Sequence, residues 1–271
     1  MNAEMALKLR FENPDFKCMS GSRLYGTNTP TSDVDIRGFT FVPFEYVFDV
    51  KQFVCAELEG DHKIFNVMAF LHHVLKGDPQ CTELLYAPKS MHLQCNAAAQ
   101  EILDLRSDIV SMNIYARILG YSNSEWRKAR GEKIEVEKMP KTIQQLLDEI
   151  RVFRPDLEKA EMDTIVEILT QNLERKVVSS VGGLGSKRKA QVEKFGFCTS
   201  SASHCIRLVT QLYDLIRYGE MTFPLPNADL CRDIKLGKYD LKTVSDIYEE
   251  YVAKVEESKP KSVLPQKPNR E

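Results

Sequence analysis

Gly21-Ser22 and, after a short loop, Asp33-Val34-Asp35 are the residues of this chain whose types and spacing could carry chemistry. Phe16 to Met19 reads as a short buried strand, and the Gly-Ser pair breaks it. Glycine lets a backbone turn tightly against a ligand, and a serine hydroxyl with free backbone N–H groups at a helix start suits a phosphate. The loop Asn28-Thr29-Pro30-Thr31-Ser32 is turn-rich, and Asp33-Val34-Asp35-Ile36 then alternates polar and apolar with the period of a strand. In that strand Val34 and Ile36 face the core, and the two carboxylates share the other face, about 6.5–7 Å apart along the chain.

Hard oxygen ligands of this kind suit Mg²⁺ or Mn²⁺, which bridge a few carboxylates and the phosphates of a substrate. Two such ions can activate a hydroxyl and stabilise a pyrophosphate leaving group. An isolated Asp-x-Asp is usually a solvated strand end. The phosphate turn, a second glycine at Gly26 and Thr27 make the combination far more specific.

At these residues the chain resembles the polymerase-β-like nucleotidyltransferase superfamily. The extended form, with Asp33-Val34-Asp35-Ile36-Arg37-Gly38, then Asp61, Gly77-Asp78-Pro79 and Glu83-Leu84-Leu85-Tyr86-Ala87-Pro88, is similar to its RlaP-type branch of predicted nucleotidyltransferases. That branch occurs in bacteria and phages and has been linked to RNA repair. The likeness covers residues 15–90, resumes more loosely at Lys194-Phe195-Gly196-Phe197 and Ala202 to Leu208, and extends to Leu236-Gly237. Residues 130–185 have no counterpart in it.

The resemblance implies that Asp33 and Asp35 bind metal with Asp61 as third acid, Glu57 and Glu59 remaining alternatives if the strand register differs. It implies that Gly21 and Ser22 hold the phosphates and that Arg37, His204 and Arg207 approach the nucleotide. His204 and Arg207 fall at i and i+3 of an expected helix and share a face. Where relatives carry an aspartate and a lysine before that helix, this chain has Cys198 and Ser200. Lys187, Arg188, Lys189 or Lys194 could then supply the missing positive charge.

The elements that must position these groups follow from the punctuation. A further strand-like segment runs from Gly38 to Val42, another from Phe53 to Leu58, and Phe65 to Lys76 carries apolar residues at helical spacing up to Gly77-Asp78-Pro79. Beyond residue 97 the signal is helical: 97–105, 109–121, a stretch around Ile143 to Ile150, one opened by Pro155 and carrying Met162 to Leu173, then 202–218 and 244–256. The expected fold is α+β, a small mixed-sheet nucleotidyltransferase head over 1–96 with flanking helices. A helical substrate or acceptor domain follows over 97–257, with an insertion near 130–185. The tail 258–271, with Pro260, Pro265 and Pro268 among lysines, has too little apolar content to pack and is expected to be disordered.

Two basic segments are candidate nucleic-acid contacts: Trp126-Arg127-Lys128-Ala129-Arg130, an aromatic among cations, and the glycine-rich loop Val181 to Lys189, which contains Lys187, Arg188 and Lys189. The second lacks the glycine spacing of a Walker loop. A net charge of −2 exerts no global pull on nucleic acid, and 28% charged with 43% hydrophobic residues is an ordinary globular composition. No apolar run approaches roughly 18 residues and the first residues carry no signal pattern, so a cytoplasmic protein is expected. The seven cysteines have no zinc-ligand spacing and read as free thiols.

The expected activity is transfer of a nucleoside monophosphate from an NTP to an acceptor hydroxyl, with an RNA 3′ end, such as that of a tRNA, as preferred acceptor. A small antibiotic such as an aminoglycoside, a protein hydroxyl or a second nucleotide are alternative acceptors. A reading from another class is a non-catalytic nucleotide-binding interaction protein.

Overall fold

The computed structural model describes residues 9–43, 55–58, 62–131, 162, 164–165 and 186–269. Its head is a five-stranded mixed sheet: β1 (Phe16–Ser20), β2 (Asp35–Thr40), β3 (Cys55–Leu58), β4 (His62–Asn66) and β5 (His92–Cys95). The strands lie in the order β3-β4-β2-β1-β5. β1 pairs antiparallel with β2 and β5, β2 runs parallel to β4, and β3 pairs antiparallel with β4. The expected α+β class with a mixed sheet is what the chain adopts.

Alternation explains the sheet. Phe16, Cys18 and Ser20 of β1 are buried in turn, with Phe39 of β2 beside Phe16. Phe39 stacks on Phe70 at a centroid distance of 4.5 Å, which fixes helix α2 (Val67–Leu75) against the sheet. The strand-like segments expected at 33–36 and 38–42 are one strand, since β1 pairs with it from Ser20↔Asp35 to Phe16↔Phe39 without interruption. Phe65, expected to open a helix, lies within β4 instead, one residue before its end. Asn66 then caps α2 by accepting from the Ala69 N–H at 2.9 Å.

Helix α3 (Pro79–Tyr86) starts at the Asp78 cap with proline in its first turn, and all eight of its residues except Gln80 are buried. Asp15 ties the edge of the head together. Its carboxylate accepts from Thr40 Oγ1 at 2.8 Å, the Phe41 N–H at 2.7 Å and Asn96 Nδ2 at 2.6 Å.

The helical part comprises α4 (Ala97–Asp104), α5 (Arg106–Ile109), α6 (Asn113–Ala129), α7 (Ser186–Phe195), α8 (Thr199–Tyr218), α9 (Ala228–Lys235) and α10 (Leu241–Ser258). α8 is its axis, with fourteen of its twenty residues buried. Leu208, Leu212 and Leu215 of α8 join the apolar cluster that holds Phe16, Phe39 and Phe70. Its other side, with Ile206 and Val209, packs among Trp126, Phe197, Ile234 and Tyr248. The same helix therefore braces the sheet and organises the helical core.

Two expectations need correction or restriction. The segment after Ser258 was expected to be disordered but packs through 269: Val263 N–H donates to Ile216 O at 3.0 Å, Asn269 N–H to Asp108 O at 2.8 Å, and Met112 N–H to Pro265 O at 2.9 Å. Leu264 is buried in the main apolar cluster. Backbone hydrogen bonds and one well-placed leucine supply what composition lacked. The helices expected from 143 to 173 lie outside the described residues, apart from helical residues at 162, 164 and 165. All seven cysteines are free thiols, as expected, and among the described residues no helix is long and apolar enough to cross a membrane.

Candidate active site

β1 ends at Ser20, directly opposite Asp35. The chain turns at Gly21 with φ +60°, and the short helix α1 (Gly21–Tyr25) begins there. A β-carbon on Gly21 would lie inside the Asp35 carboxylate, 2.6 Å from its carboxyl carbon. Only glycine gives both this left-handed conformation and this space. The glycine and the second aspartate of the pattern are thus one steric unit.

The loop before β2 is braced by its own hydroxyls. Ser32 Oγ accepts from the Thr29 N–H at 2.8 Å, and the Ser32 N–H donates to Thr29 O at 3.0 Å. This turn presents Asp33, which is exposed, whereas Asp35 is half-buried at the head of β2. Val34 is 39% exposed and does not face the core, because pairing with β1 begins only at Asp35 and the strand with it. Both aspartates nevertheless line one cleft of about 700 Å³.

One wall of that cleft belongs to the head, with Gly21, Ser22, Asp33 and Asp35. The facing wall is helical, with Arg188 and Gln191 of α7, Ser200, His204 and Arg207 of α8, and Lys235 of α9. Tyr121 and Glu125 of α6 also border it. Residues nearly two hundred positions apart in sequence meet here.

Beneath the cleft lies a buried polar network. Arg207 Nη1 pairs with Glu83 Oε2 at 3.2 Å and donates to Gln211 Oε1 at 2.7 Å. The Tyr25 hydroxyl donates to the Glu83 carboxylate, 2.8 and 2.9 Å from its two oxygens, and the Arg207 guanidinium lies 4.1 Å from the Tyr25 ring centroid. Burial raises the Glu83 carboxyl against the pull of Arg207 and the Tyr25 hydroxyl. Burial works against the Arg207 charge, but Tyr25 and Glu83 hold its pKa above the ordinary guanidinium range. Arg207 therefore remains a cation whose partners are largely inside the protein.

His204 Nδ1 lies 3.0 Å from Arg207 Nη2. A guanidinium only donates, so Nδ1 accepts and the imidazole proton sits on Nε2. Burial first, then the positive Arg207 and Arg188, push the His204 pKa down to about 3. At neutral pH it is an uncharged hydrogen-bond donor, packed edge-on against Tyr121 at 5.6 Å.

Other expected site residues are placed differently. Arg37, on β2 two residues after Asp35, is outside the cleft wall and donates to Gln80 Oε1, which lines it. Trp126 is no base platform: it is buried and stacked on Tyr248 at 4.7 Å, with Arg130 over its ring. Arg127 is exposed on α6, and Lys128 pairs with Glu125 at 2.7 Å. The expected loop through Lys187-Arg188-Lys189 is helical from Ser186, while 181–185 lie outside the described residues. Arg188 reaches the cleft, Lys189 is exposed away from its walls, Lys194 lies over the Phe195 ring, and the side chain of Lys187 lies outside the described residues.

Asp61 and Glu59 lie outside the described residues, as does the side chain of Glu57. β4 begins directly after Asp61, and its first residue, His62, pairs with Ile36 beside Asp35. Among the described residues no three His, Cys, Asp or Glu side chains gather around a metal position. The donors present do fit a hard cation: two carboxylates with hydroxyls of Ser22 and Ser32 on the same cleft. Asp33 and Asp35 would hold it, with phosphate oxygens of a substrate completing the shell.

Residues 15–152, just over half of the chain, match the family described as RlaP, RNA repair pathway DNA polymerase beta family. The chain belongs to the RlaP family. Membership in a polymerase-β-type family points to a nucleotidyltransferase. A relative is the uncharacterized 38.9 kDa protein in the nrdC-mobD intergenic region of Enterobacteria phage T4, 23% identical over 89% of this chain and 88% of its own length. No solved structure matches.

Sequence reasoning missed two residues that the structure places at or beneath this cleft. Lys235 sits on α9, where no motif pointed, and Glu83 stands in the stretch Glu83-Leu84-Leu85-Tyr86-Ala87-Pro88 with no role attached to it. A lone carboxylate in the apolar run Leu84-Leu85-Tyr86 was the available signal.

Proposed function

We propose that this RlaP protein transfers a nucleoside monophosphate from an NTP to the 3′-hydroxyl of an RNA, releasing pyrophosphate. The observation that carries the reading is the Gly21 turn closed onto the Asp35 carboxylate with Asp33 on the same cleft. The acceptor oxygen bonds to the α-phosphorus as the bond to the pyrophosphate oxygen breaks, and the hydroxyl proton passes to solvent. Bound Mg²⁺ or Mn²⁺ would supply charge neutralisation at the phosphates, held by Asp33, Asp35 and Asp61.

Phosphoryl transfer is mostly positioning and electrostatics, and the chain's own residues supply both. Gly21 and Ser22 offer backbone N–H groups and a hydroxyl to the β- and γ-phosphates. Arg188 and Lys235 on the opposite wall bring the positive charge that Ser200 does not. Ser200 is instead used inside the helical wall, where its Oγ accepts from Gln191 Nε2 at 2.7 Å. Neutral His204 offers its Nε2 proton as a donor without adding charge.

The cations favour a polyanionic acceptor over an aminoglycoside, since Glu125, the remaining carboxylate at the wall, is engaged by Lys128. Incubation with labelled NTPs, Mg²⁺ or Mn²⁺ and mixed RNA tests the reading. Label is expected on RNA 3′ ends with wild type and to fall by at least about a thousandfold with Asp35→Asn. Absence of transfer by wild type with every NTP and either metal would overturn it.

A further inference from the structure

A second cavity of about 540 Å³ abuts the nucleotide cleft. The two share Gln80 and Tyr121 as walls, and the second is completed by Asp78 and by Ala116, Arg117 and Gly120 of α6. Gln80 is also the residue that Arg37 holds, two residues along β2 from Asp35. One wall of the second cavity is therefore tied to the strand that carries an acid of the pair.

Its lining is unusual for a helix surface. Gly120 sits inside α6, where glycine weakens a helix relative to alanine. Among the described residues no packing demand accounts for it, because a β-carbon there would meet none of them within 4 Å. Ala116, one turn earlier, is also small and exposed. The result is a bare strip of helix bordered by two larger groups, Arg117 and Tyr121, both exposed.

The charges and ring have one chemical sense. Arg117 has no ion-pair partner among the described residues. The nearby Asp78 carboxylate is turned to its own helix, accepting from the Gln80 and Cys81 N–H groups at 3.0 and 3.1 Å. A cation beside an exposed aromatic, both lining one cavity of about 540 Å³, is the combination that grips a phosphate and stacks a base.

We propose that this second cavity seats the 3′-terminal nucleotides of a single-stranded polynucleotide acceptor. Arg117 takes a backbone phosphate, Tyr121 stacks a base at the border of the two cavities, and Gly120 leaves the helix bare so that the strand can lie against it. The proposal rests on the nucleotidyl-transfer reading of the neighbouring cleft. It assigns donor and acceptor to opposite sides of Tyr121.

The test titrates the full chain with a short single-stranded RNA, labelled at its 5′ end and free at its 3′-hydroxyl, by fluorescence anisotropy. A parallel titration uses a non-hydrolysable ATP analogue with Mg²⁺. Gly120→Phe, which fills the groove, is expected to weaken RNA binding about tenfold or more while leaving analogue affinity within about twofold. Arg117→Ala is expected to weaken RNA binding and to lower the slope of log affinity against log salt by about 1.

Wild-type RNA affinity in Gly120→Phe, or parallel loss of both ligands in a folded variant, would overturn the proposal. Should Gly120→Phe fail to fold, Arg117→Ala decides, and an unchanged RNA affinity and salt slope there count against the acceptor seat. A wild-type protein that binds the analogue but no RNA overturns the acceptor assignment and leaves the nucleotide cleft standing. One that binds neither overturns both.

Discussion

Arg207 of α8 and Glu83 of α3 form an ion pair at 3.2 Å with side chains only 6% and 1% exposed. The pair joins the helical part of the molecule to the head directly beneath the cleft. Removing one partner from such a pair strands the other charge in an apolar setting. Glu83→Gln is therefore expected to lower unfolding free energy by about 3–5 kcal/mol in denaturant titration. A loss below about 1 kcal/mol would show that the network is not what holds the two parts together.

Gly21→Ala should separate folding from catalysis. The left-handed backbone costs a non-glycine residue about 1–2 kcal/mol, a loss that a domain of this size survives. The added methyl group must push Asp35 aside, and small displacements in a phosphoryl-transfer site cost about a hundredfold in rate. Circular dichroism with nucleotide-transfer assays checks this; a folded variant with wild-type turnover would contradict it.

His204 gives the molecule an acid limit. Its pKa is near 6.5 when unfolded and about 3 when folded, so between those values the unfolded chain binds more protons and stability falls as pH falls. Above pH 6.5 the group contributes no slope. His204→Gln keeps an acceptor for Arg207 and removes the titration, so its stability profile should be flatter between pH 6.5 and 3, by an amount on the order of a few kcal/mol at the acid end. Denaturation midpoints across that range measure it, and identical slopes for the two proteins would refute the assignment.

Arg188 and Lys235 face the acids from the other side of the cleft. Loss of a charge-assisted contact to a phosphate is worth about 1.5–3 kcal/mol, so Arg188→Ala and Lys235→Ala should each raise KM for NTP by about tenfold or more. Steady-state kinetics at varied NTP checks this. Unchanged KM in both variants would mean that the triphosphate does not reach the helical wall.

The parts of this site legible in the sequence are those written in short range. The Gly21-Ser22 turn and the Asp35-Ile36 alternation are local signals, and both survive into the fold. Val34 misled because alternation continued one step beyond the point where pairing with Ser20 allows a strand to start. Phe65 misled because its apolar character fits the end of a strand as well as the start of a helix.

Long-range partners were not legible. Nothing near Trp126 announces Tyr248, which takes its face, and nothing near Glu83 announces Arg207. The packed tail was hidden for a related reason: its anchors are backbone hydrogen bonds to Ile216, Asp108 and Met112, and backbone groups leave no mark on composition.

The match to the RlaP family ends at residue 152, whereas Arg188, His204, Arg207 and Lys235 on the facing wall all lie beyond it. The paired acids and the surface opposite them are therefore encoded in separate stretches of the chain. A descendant could change the residues of α7 and α9 that face the cleft and acquire a new substrate while inheriting the acids untouched. In such a lineage the chemistry would be constant and the clientele would change.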